Sequence, residues 1–339
     1  MVVASALTLT FFGAVAIASG GTLRAFLLAG SPDSPADLES HASAIGVLYP
    51  TYFHCRLPGG QIAGAAEPAV DERAATGHIV ELPRFSCQQR AVVHRILTDP
   101  GVRRATLAGL VALADETPYE GLCLDLENGV AADRGALDAF VAQLARRLHA
   151  RGRKLAVVVD GVTHEDARVS TGFYDDARLG ALADEVFVLA WGVHWEHSAP
   201  GPIAPLPWVR KVAAYIASLP HARRFVLGVP MYGLDWARAD PTSGVGARGP
   251  HETSYTASAY QYSGIATLAS SVGASPIREP LSGEMTFDYE RDGVRHTVYY
   301  LDAHAVAARL RVGLDAGLNV GVWRLGSEDQ ELWSSPFLT

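Results

Sequence analysis

The sequence predicts an α/β protein in which eight parallel strands alternate with helices and close into a (β/α)₈ TIM barrel. Eight apolar runs recur along the 339 residues, and they are continuous rather than alternating, which indicates strands covered on both faces. Segments with helical spacing separate several of these runs, as a βαβ succession requires. An open doubly wound sheet is the alternative, but no glycine-rich dinucleotide fingerprint follows an early strand.

The eight predicted strands share an apolar middle and are bounded by turn-forming or charged residues. In chain order they are Thr22–Ala29, Ala44–Phe53, Gly77–Pro83, Gly121–Glu127, Lys154–Val159, Glu185–Trp191, Phe225–Met231 and Val320–Leu325.

The predicted helices repeat apolar residues at three- and four-residue intervals, which places those residues on one buried face. The clearest is Ala136–Ala150, whose apolar face includes Leu137, Phe140 and Leu144. The full set is Val102–Ala114, Ala136–Ala150, Trp208–Ser218 and Ala303–Ala316.

A segment between the seventh and eighth strands departs from this alternation. Residues 237–302 are rich in Gly, Ser, Pro and Tyr, and they contain the strand-like runs Met285–Glu290 and His296–Leu301. Asp292 and Gly293 between the runs form a hairpin turn signal. We therefore predict a small α+β insertion at 237–302 within a barrel domain of residues 22–335.

The first 18 residues are almost wholly apolar or small, and Ala16 and Ala18 have the spacing of a signal-peptidase site. We expect a signal peptide or membrane anchor over residues 1–21 and a secreted or cell-envelope location, although the charged start of a signal is missing. A wrongly chosen start site and a buried first strand are the alternatives.

Charge and cysteine content limit the range of possible functions. Lys and Arg total 28 against 36 Asp and Glu, a net charge of −8 with no basic stripe, so we expect no nucleic-acid partner. Cys55, Cys87 and Cys123 lack metal-ligand spacing, and whether Cys55 and Cys87 pair stays open. We expect a monomer.

The strand ending in Asp125 and Glu127 is the most informative feature. Alternate residues of a strand share a face, so both carboxyl groups lie on the same side, about 6.6 Å apart along the strand. Burial and mutual repulsion favour protonation of one of them, and a protonated carboxyl beside a carboxylate suits a general acid.

Polar and aromatic residues also follow the other predicted strands. The carboxyl ends of barrel strands form the active site, and carboxylates among Trp and Tyr rings are typical of a sugar site. These residues are Asp160, Trp191, His194, Trp195, Met231, Tyr232 and Trp323.

Three motifs carry a family resemblance. Residues 120–127 resemble the Asp-Gly-x-Asp-x-Asp-x-Glu signature of glycoside hydrolase family 18, the chitinase-like family. Residues 227–233 and 321–326, the latter followed by Glu328, Asp329 and Trp333, resemble its seventh- and eighth-strand motifs. The resemblance covers roughly residues 22–335 and is closest to the bacterial branch with spore-cortex-lytic N-acetylglucosaminidases.

The resemblance implies retaining, substrate-assisted hydrolysis of a polymer or oligosaccharide of 2-acetamido sugars, without metal or cofactor. Glu127 is the implied general acid and base, and Asp125 is the implied partner of the acetamido group. Trp323 is the implied floor under the sugar, with Tyr232 beside it. Trp191 and Met231 are further candidate substrate-binding residues.

The chain departs from the family pattern at Cys123, where an Asp is usual, and at Trp191-Gly192, where Tyr-Asp is usual. These departures keep open a second hypothesis, a non-catalytic carbohydrate-binding protein on the same fold. A third, an unrelated barrel hydrolase using Asp160 and His164, rests only on the position of those residues.

Overall fold

The computed structural model describes residues 23–56, 59–115, 119–164, 172–238 and 255–334. The signal or anchor predicted for residues 1–21, and with it the predicted location, lies outside these residues, as does part of the predicted insertion, 239–254.

The described strands belong to two sheets. They are β1 (Leu23–Leu27), β2 (Ile45–Pro50), β3 (Phe53–Arg56), β4 (Gln61–Gly64), β5 (Val80–Glu81), β6 (Arg84–Cys87), β7 (Gly121–Leu126), β8 (Lys154–Asp160), β9 (Glu185–Leu189), β10 (Phe225–Pro230), β11 (Tyr232–Arg238), β12 (Tyr255–Gln261), β13 (Ile277–Arg278), β14 (Met285–Arg291), β15 (Val294–Tyr300) and β16 (Asn319–Trp323).

The α-helices of the described residues surround the larger sheet or lie in the insertion. They are α1 (Asp33–His41), α2 (Pro68–Thr76), α3 (Arg90–Thr98), α4 (Pro100–Asp115), α5 (Arg134–His149), α6 (Asp176–Leu182), α7 (Leu206–Ala217), α8 (Tyr262–Ser271) and α9 (Ala303–Asp315).

The larger sheet closes on itself and confirms the predicted barrel. Parallel pairings run from β16 through β1 and β2 to β5, and from β6 through β7, β8, β9 and β10 back to β16. Because β5 and β6 are successive parts of one strand, the ring contains eight parallel strands.

The third barrel strand differs from its predicted bounds, Gly77–Pro83. Its first part pairs with β2, where Leu82 N donates to Leu48 O at 2.9 Å, and its second part pairs with β7. Pro83 suggested a strand end because proline cannot donate a ladder hydrogen bond. Here Pro83 only accepts, from Cys123 N at 2.9 Å, so the strand continues past it.

The four predicted helices are present with shifts of a few residues, as α4, α5, α7 and α9. The prediction missed the shorter helices α1, α2, α3, α6 and α8, which have 7 to 10 residues. Helices this short hold few apolar positions, so their periodicity is weak. α1 shows this, since it buries Leu38 together with the polar Ser34 and Asp37.

The predicted α+β insertion is the second sheet, of order β12-β11-β15-β14-β13, with α8 packed against it. It starts at Tyr232, earlier than the predicted 237, because β11 follows β10 after a single residue. The turn of the β14–β15 hairpin has Asp292 and Gly293 at φ 54° and 75°, as a two-residue turn of the Asp-Gly type requires.

Two layers of apolar side chains hold the barrel together. Residues facing the helices form the larger cluster, and a second cluster fills the barrel interior. The interior cluster consists of Phe26, Val47, Tyr49, Leu82, Cys123, Ala156, Val158, Phe187 and Val226. Trp191 and Trp323 pack on this cluster while staying partly exposed, so the interior core supports the upper end of the barrel.

Cys55 and Cys87 form a disulfide with a Cα–Cα distance of 5.2 Å, which joins β3 to the end of β6. The β3–β4 hairpin is thereby fixed to the edge of the barrel. Across the described ranges, no helix combines the length and the apolar character needed to span a membrane.

Candidate active site

Asp125 and Glu127 lie at the carboxyl end of β7. Asp125 is 2% exposed, whereas the Glu127 side chain is 21% exposed, and Glu127 N donates to Cys87 O at 2.9 Å. Cys123, Asp125 and Glu127 alternate with leucines, so they project into the barrel, as the strand periodicity predicts. The structure therefore presents Glu127 above a buried Asp125.

Arg84 is the residue of this site that sequence reasoning missed. Its Nε donates to Asp125 Oδ2 at 2.5 Å, its terminal nitrogen also contacts that oxygen, and the same nitrogen lies 3.6 Å from Glu127 Oε1. Arg84 is 8% exposed, so the ion pair is buried. A charged residue inside an apolar strand was the available signal, since burial of an arginine requires a partner.

The environment of Glu127 favours its protonated form. Burial, and then the charge of Asp125, raise the pKa of Glu127 to about 7, while the Gln88 hydrogen bond and the charge of Arg84 lower it. Gln88 Nε2 donates to Glu127 Oε1 at 2.5 Å. A carboxyl group with this pKa can donate and accept a proton near neutral pH, as a general acid and base must.

Asp160 brings a third carboxyl group to the same end of the barrel. β7 and β8 pair with Leu124 opposite Val157, and continuing that register places Glu127 level with Asp160. Burial, and then the charge of Asp125, raise the pKa of Asp160 to about 6. Among described residues we find no hydrogen bond or ion pair to Asp160, and the nearby His164 is exposed.

An open cleft of about 690 Å³ lies over this end of the barrel, within the usual size range of ligand sites. Its walls come from the barrel loops and from the insertion, and they are polar and aromatic in character. The lining includes Arg84, Gln88, Glu127, Asn128, Trp191, Gly192, Trp195, Glu196, Tyr232, Tyr260, Gln261, Trp323, Arg324 and Ser327.

Four of the predicted site residues, Glu127, Trp191, Tyr232 and Trp323, line this cleft, and Asp125 lies directly below Glu127. Trp323 packs with its ring centre 5.1 Å from that of Phe26, while the Arg84 guanidinium lies 5.5 Å from the Trp323 ring. The aromatic floor and the charged centre are thus in direct contact.

Met231 is not brought to the cleft. It is fully buried in the helix-facing core, and its N–H donates to Trp323 O at 2.7 Å. Successive residues of a strand point to opposite sides, so Tyr232 lines the cleft and Met231 points away from it. Burial, and then Glu196 and Glu284, raise the pKa of Tyr232, which stays a neutral hydrogen-bonding group.

The segment after β9 forms one wall of the cleft and is tied to the insertion. Gly192 has φ 84° and donates its N–H to Ile203 O at 2.9 Å. Glu284, fully buried, accepts from Ile203 N at 2.8 Å and pairs with the fully buried Arg309 at 3.2 Å. The left-handed backbone at Gly192 favours glycine over the Asp that the family pattern has there.

The acid that the family pattern has at position 123 is replaced by a buried thiol. Cys123 is completely buried among apolar side chains, and burial raises the pKa of its thiol well above the usual range. Within the described ranges no cluster of three or more His, Cys, Asp or Glu residues could hold a metal ion.

No protein-family model matches the chain. It is 27% identical over 237 residues to the sporulation-specific glycosylase YdhD of Bacillus subtilis, covering 69% of this chain and 53% of that protein. It is 21% identical over 257 residues to the cortical fragment-lytic enzyme of Bacillus anthracis, covering 75% and 56%. The chain thus spans about half the length of these curated relatives.

Solved structures share the fold. The chitinase of Chromobacterium violaceum superposes with a TM-score of 0.79 at 23% identity, covering 94% of this chain and 98% of that one. A family 18 chitinase of Cycas revoluta, solved in complex with (GlcNAc)4, superposes with a TM-score of 0.72 at 16% identity and the same coverage. The chain is therefore similar in sequence to a bacterial glycosylase and a cortical fragment-lytic enzyme, and it shares the fold of glycoside hydrolase family 18 chitinases.

Proposed function

We propose that the chain is a glycosidase that cleaves β-linked glycans containing N-acetylglucosamine, of the peptidoglycan or chitin type. The observation that carries the proposal is Glu127, which lines an open cleft directly above Asp125 and has its pKa raised to about 7. Trp323 and Tyr232 beside it offer aromatic faces to a sugar ring. The relatives named as glycosylase, cortical fragment-lytic enzyme and chitinase support this reaction class.

The proposed reaction is retaining and substrate-assisted. Glu127 protonates the glycosidic oxygen while the bond from that oxygen to the anomeric carbon breaks. The carbonyl oxygen of the substrate's 2-acetamido group bonds to the anomeric carbon and gives an oxazolinium ion, which Asp125 stabilises. Water then adds to the anomeric carbon and gives its proton to Glu127, and the acetamido oxygen departs.

Hydrolysis of N-acetyl-chitooligosaccharides and of purified peptidoglycan, followed by mass spectrometry, tests the proposal. We expect product from at least one substrate and a fall of at least 100-fold in kcat for Glu127→Gln, because loss of a general acid typically costs 10²–10⁴-fold. Glu290→Gln, at an exposed position near the end of β14, is the matched control.

Two results would overturn the proposal. If wild type and Glu127→Gln are equally inactive on both substrates, the chain is not this glycosidase. If wild type cleaves cellotetraose as well as N-acetyl-chitotetraose, the acetamido group takes no part and the substrate-assisted mechanism fails.

Trp191 and Gly192 favour a second candidate, a carbohydrate-binding protein without turnover. The tyrosine hydroxyl usual at position 191 bonds the acetamido oxygen in this family, whereas Trp191 offers only an indole N–H. The left-handed backbone at Gly192 makes this departure part of the local fold. Oligosaccharide binding without product, even at high protein concentration, would support this candidate.

We also propose that the protein acts outside the cytoplasm. The Cys55–Cys87 disulfide supports this location, because disulfides persist in oxidising compartments. The apolar residues 1–18 agree with export. Detection of the protein only in the cytoplasmic fraction of its natural host would contradict the proposal.

A further inference from the structure

We infer that Arg84 is the positioning residue of this site: it anchors one oxygen of Asp125 so that the other receives the acetamido N–H of the substrate. The inference rests on the proposed function, in that it takes a 2-acetamido sugar as the ligand of the cleft. Its new element is Arg84, which lies outside all three family motifs.

The two carboxylate oxygens of Asp125 differ in their hydrogen bonding. Oδ2 accepts the Arg84 Nε at 2.5 Å and contacts the terminal guanidinium nitrogen as well. Oδ1 is buried and has no hydrogen-bond partner among the described residues. A buried carboxylate oxygen without a partner carries a desolvation cost. An amide N–H brought by the substrate satisfies it.

The register of β6 and β7 places Arg84 next to the position of the missing acid. Arg84 of β6 lies directly opposite Cys123 of β7, the position where the family pattern has an acid. That acid is the usual neighbour of the carboxylate at position 125. The buried, neutral thiol of Cys123 cannot hold Asp125 in place, whereas the adjacent arginine reaches it with two donors. The anchor has therefore moved from one strand to the next.

Arg84 also lies beside the proposed acid and the aromatic floor of the site. Its guanidinium lies 3.6 Å from Glu127 Oε1 and 5.5 Å from the centre of the Trp323 ring. A planar guanidinium can stack on an aromatic ring while donating to a carboxylate at its edge, which a lysine ammonium does less well. Arg84 thus fixes Asp125 relative to both the acid and the floor.

The test compares wild type with Arg84→Gln and Arg84→Lys, and it uses two measurements. The first is the affinity ratio between N-acetyl-chitotetraose and cellotetraose, from the quenching of tryptophan fluorescence. The two ligands share their β-1,4 linkage, but only the first carries acetamido groups. We expect Arg84→Gln to reduce the preference for the acetylated ligand at least tenfold, and Arg84→Lys to keep part of it.

The second measurement is the pH dependence of hydrolysis. Because the charge of Arg84 lowers the pKa of Glu127, Arg84→Gln moves the alkaline limb of kcat/KM to higher pH, while Arg84→Lys leaves it near the wild-type position. We also expect kcat to fall at least 100-fold with a much smaller change in KM, since misplacing Asp125 removes an interaction of the transition state. Arg295→Gln removes an exposed Arg–Asp pair of the insertion hairpin and is the matched control.

The outcomes separate the two proposals. If wild type binds the ligands without turnover and Arg84→Gln loses the preference for the acetylated one, the role of Arg84 is supported and the glycosidase proposal is refuted. An unchanged preference, or equal losses for both ligands, refutes the role of Arg84 whatever the activity. If Arg84→Gln fails to fold, Arg84→Met and Cys123→Asp/Arg84→Gln take its place: the first has no group that can anchor Asp125, and the second restores the acid usual at position 123. A folded Arg84→Met that keeps the wild-type preference, or a folded double variant that lacks it, overturns the inference.

Discussion

Replacing the proposed catalytic acid with its neutral isostere should stabilise the fold, by an amount that grows as the pH rises from about 4.5 to 7. Glu127 is mostly buried, and it carries its charge beside the carboxylate of Asp125. Glu127→Gln removes that charge and keeps an oxygen that can accept the hydrogen bond from Gln88. The variant thus separates the electrostatic cost of the acid from its packing.

The magnitude follows from the pKa. Burial and the charge of Asp125 raise the pKa of Glu127 from 4.5 to about 7, and each pKa unit corresponds to about 1.36 kcal/mol. Ionised Glu127 therefore destabilises the folded protein by about 3 kcal/mol relative to the unfolded chain.

The direction of the pKa shift determines the pH range in which the effect appears. Between about pH 4.5 and 7 the folded state holds a proton that the unfolded chain has lost, so the contribution of Glu127 to stability falls as the pH rises. The glutamine variant has no such loss. Its advantage in the free energy of unfolding should be near zero below that window and about 3 kcal/mol above it.

Urea unfolding of both proteins at several pH values measures this difference directly, since titrating groups outside the site contribute equally to the two. Glu290→Gln reports the effect of removing an exposed carboxylate. A difference between wild type and Glu127→Gln that stays constant across the window would refute the reasoning, and so would a less stable variant at alkaline pH.

Three further outcomes are expected. Cys55→Ser/Cys87→Ser should lower the free energy of unfolding by about 4 kcal/mol, because the disulfide spans 32 residues, and added reductant should bring wild type to the same value. Glu284→Gln should cost about 3 kcal/mol by urea unfolding, since it leaves the buried Arg309 without a counterion, and a loss below about 1 kcal/mol would contradict that. Trp323→Ala should lower kcat/KM for a cleaved glycan at least tenfold while Trp323→Phe retains most of it, and equal losses would argue against a stacking role.

The barrel could be predicted from sequence because each parallel strand is covered on both faces and is therefore continuously apolar. The elements that were not predicted are those that depend on contacts with residues distant in sequence. The third strand passes through Pro83 because that residue only has to accept a hydrogen bond there, which a single sequence does not show. The short helix Asp33–His41 buries polar Ser34 and Asp37, so its apolar periodicity is weak.

The residues of the candidate site also differ in whether the sequence could predict them. Glu127, Tyr232 and Trp323 were accessible to prediction because each sits at or near a strand end, where the fold itself specifies the location of the site. Arg84 was missed, because its charge in an apolar strand indicates only that it has a partner, and that partner, Asp125, is 41 positions away in sequence. Met231 was predicted to line the cleft, but it lies in the core, while the next residue, Tyr232, lines the cleft.

The two departures from the family pattern have different consequences for the reaction. Cys123 lies opposite Arg84 and completes the apolar interior, so the structure compensates for the missing acid within the same pair of strands. Trp191 and Gly192 instead line the cleft itself, with Gly192 at a backbone conformation that favours glycine. In the proposed reaction, the first departure preserves the carboxylate that stabilises the acetamido group, while the second changes the residues that face the acetamido carbonyl. If the proposal holds, this chain should differ from family 18 chitinases in how tightly that carbonyl is held, more than in proton transfer by Glu127.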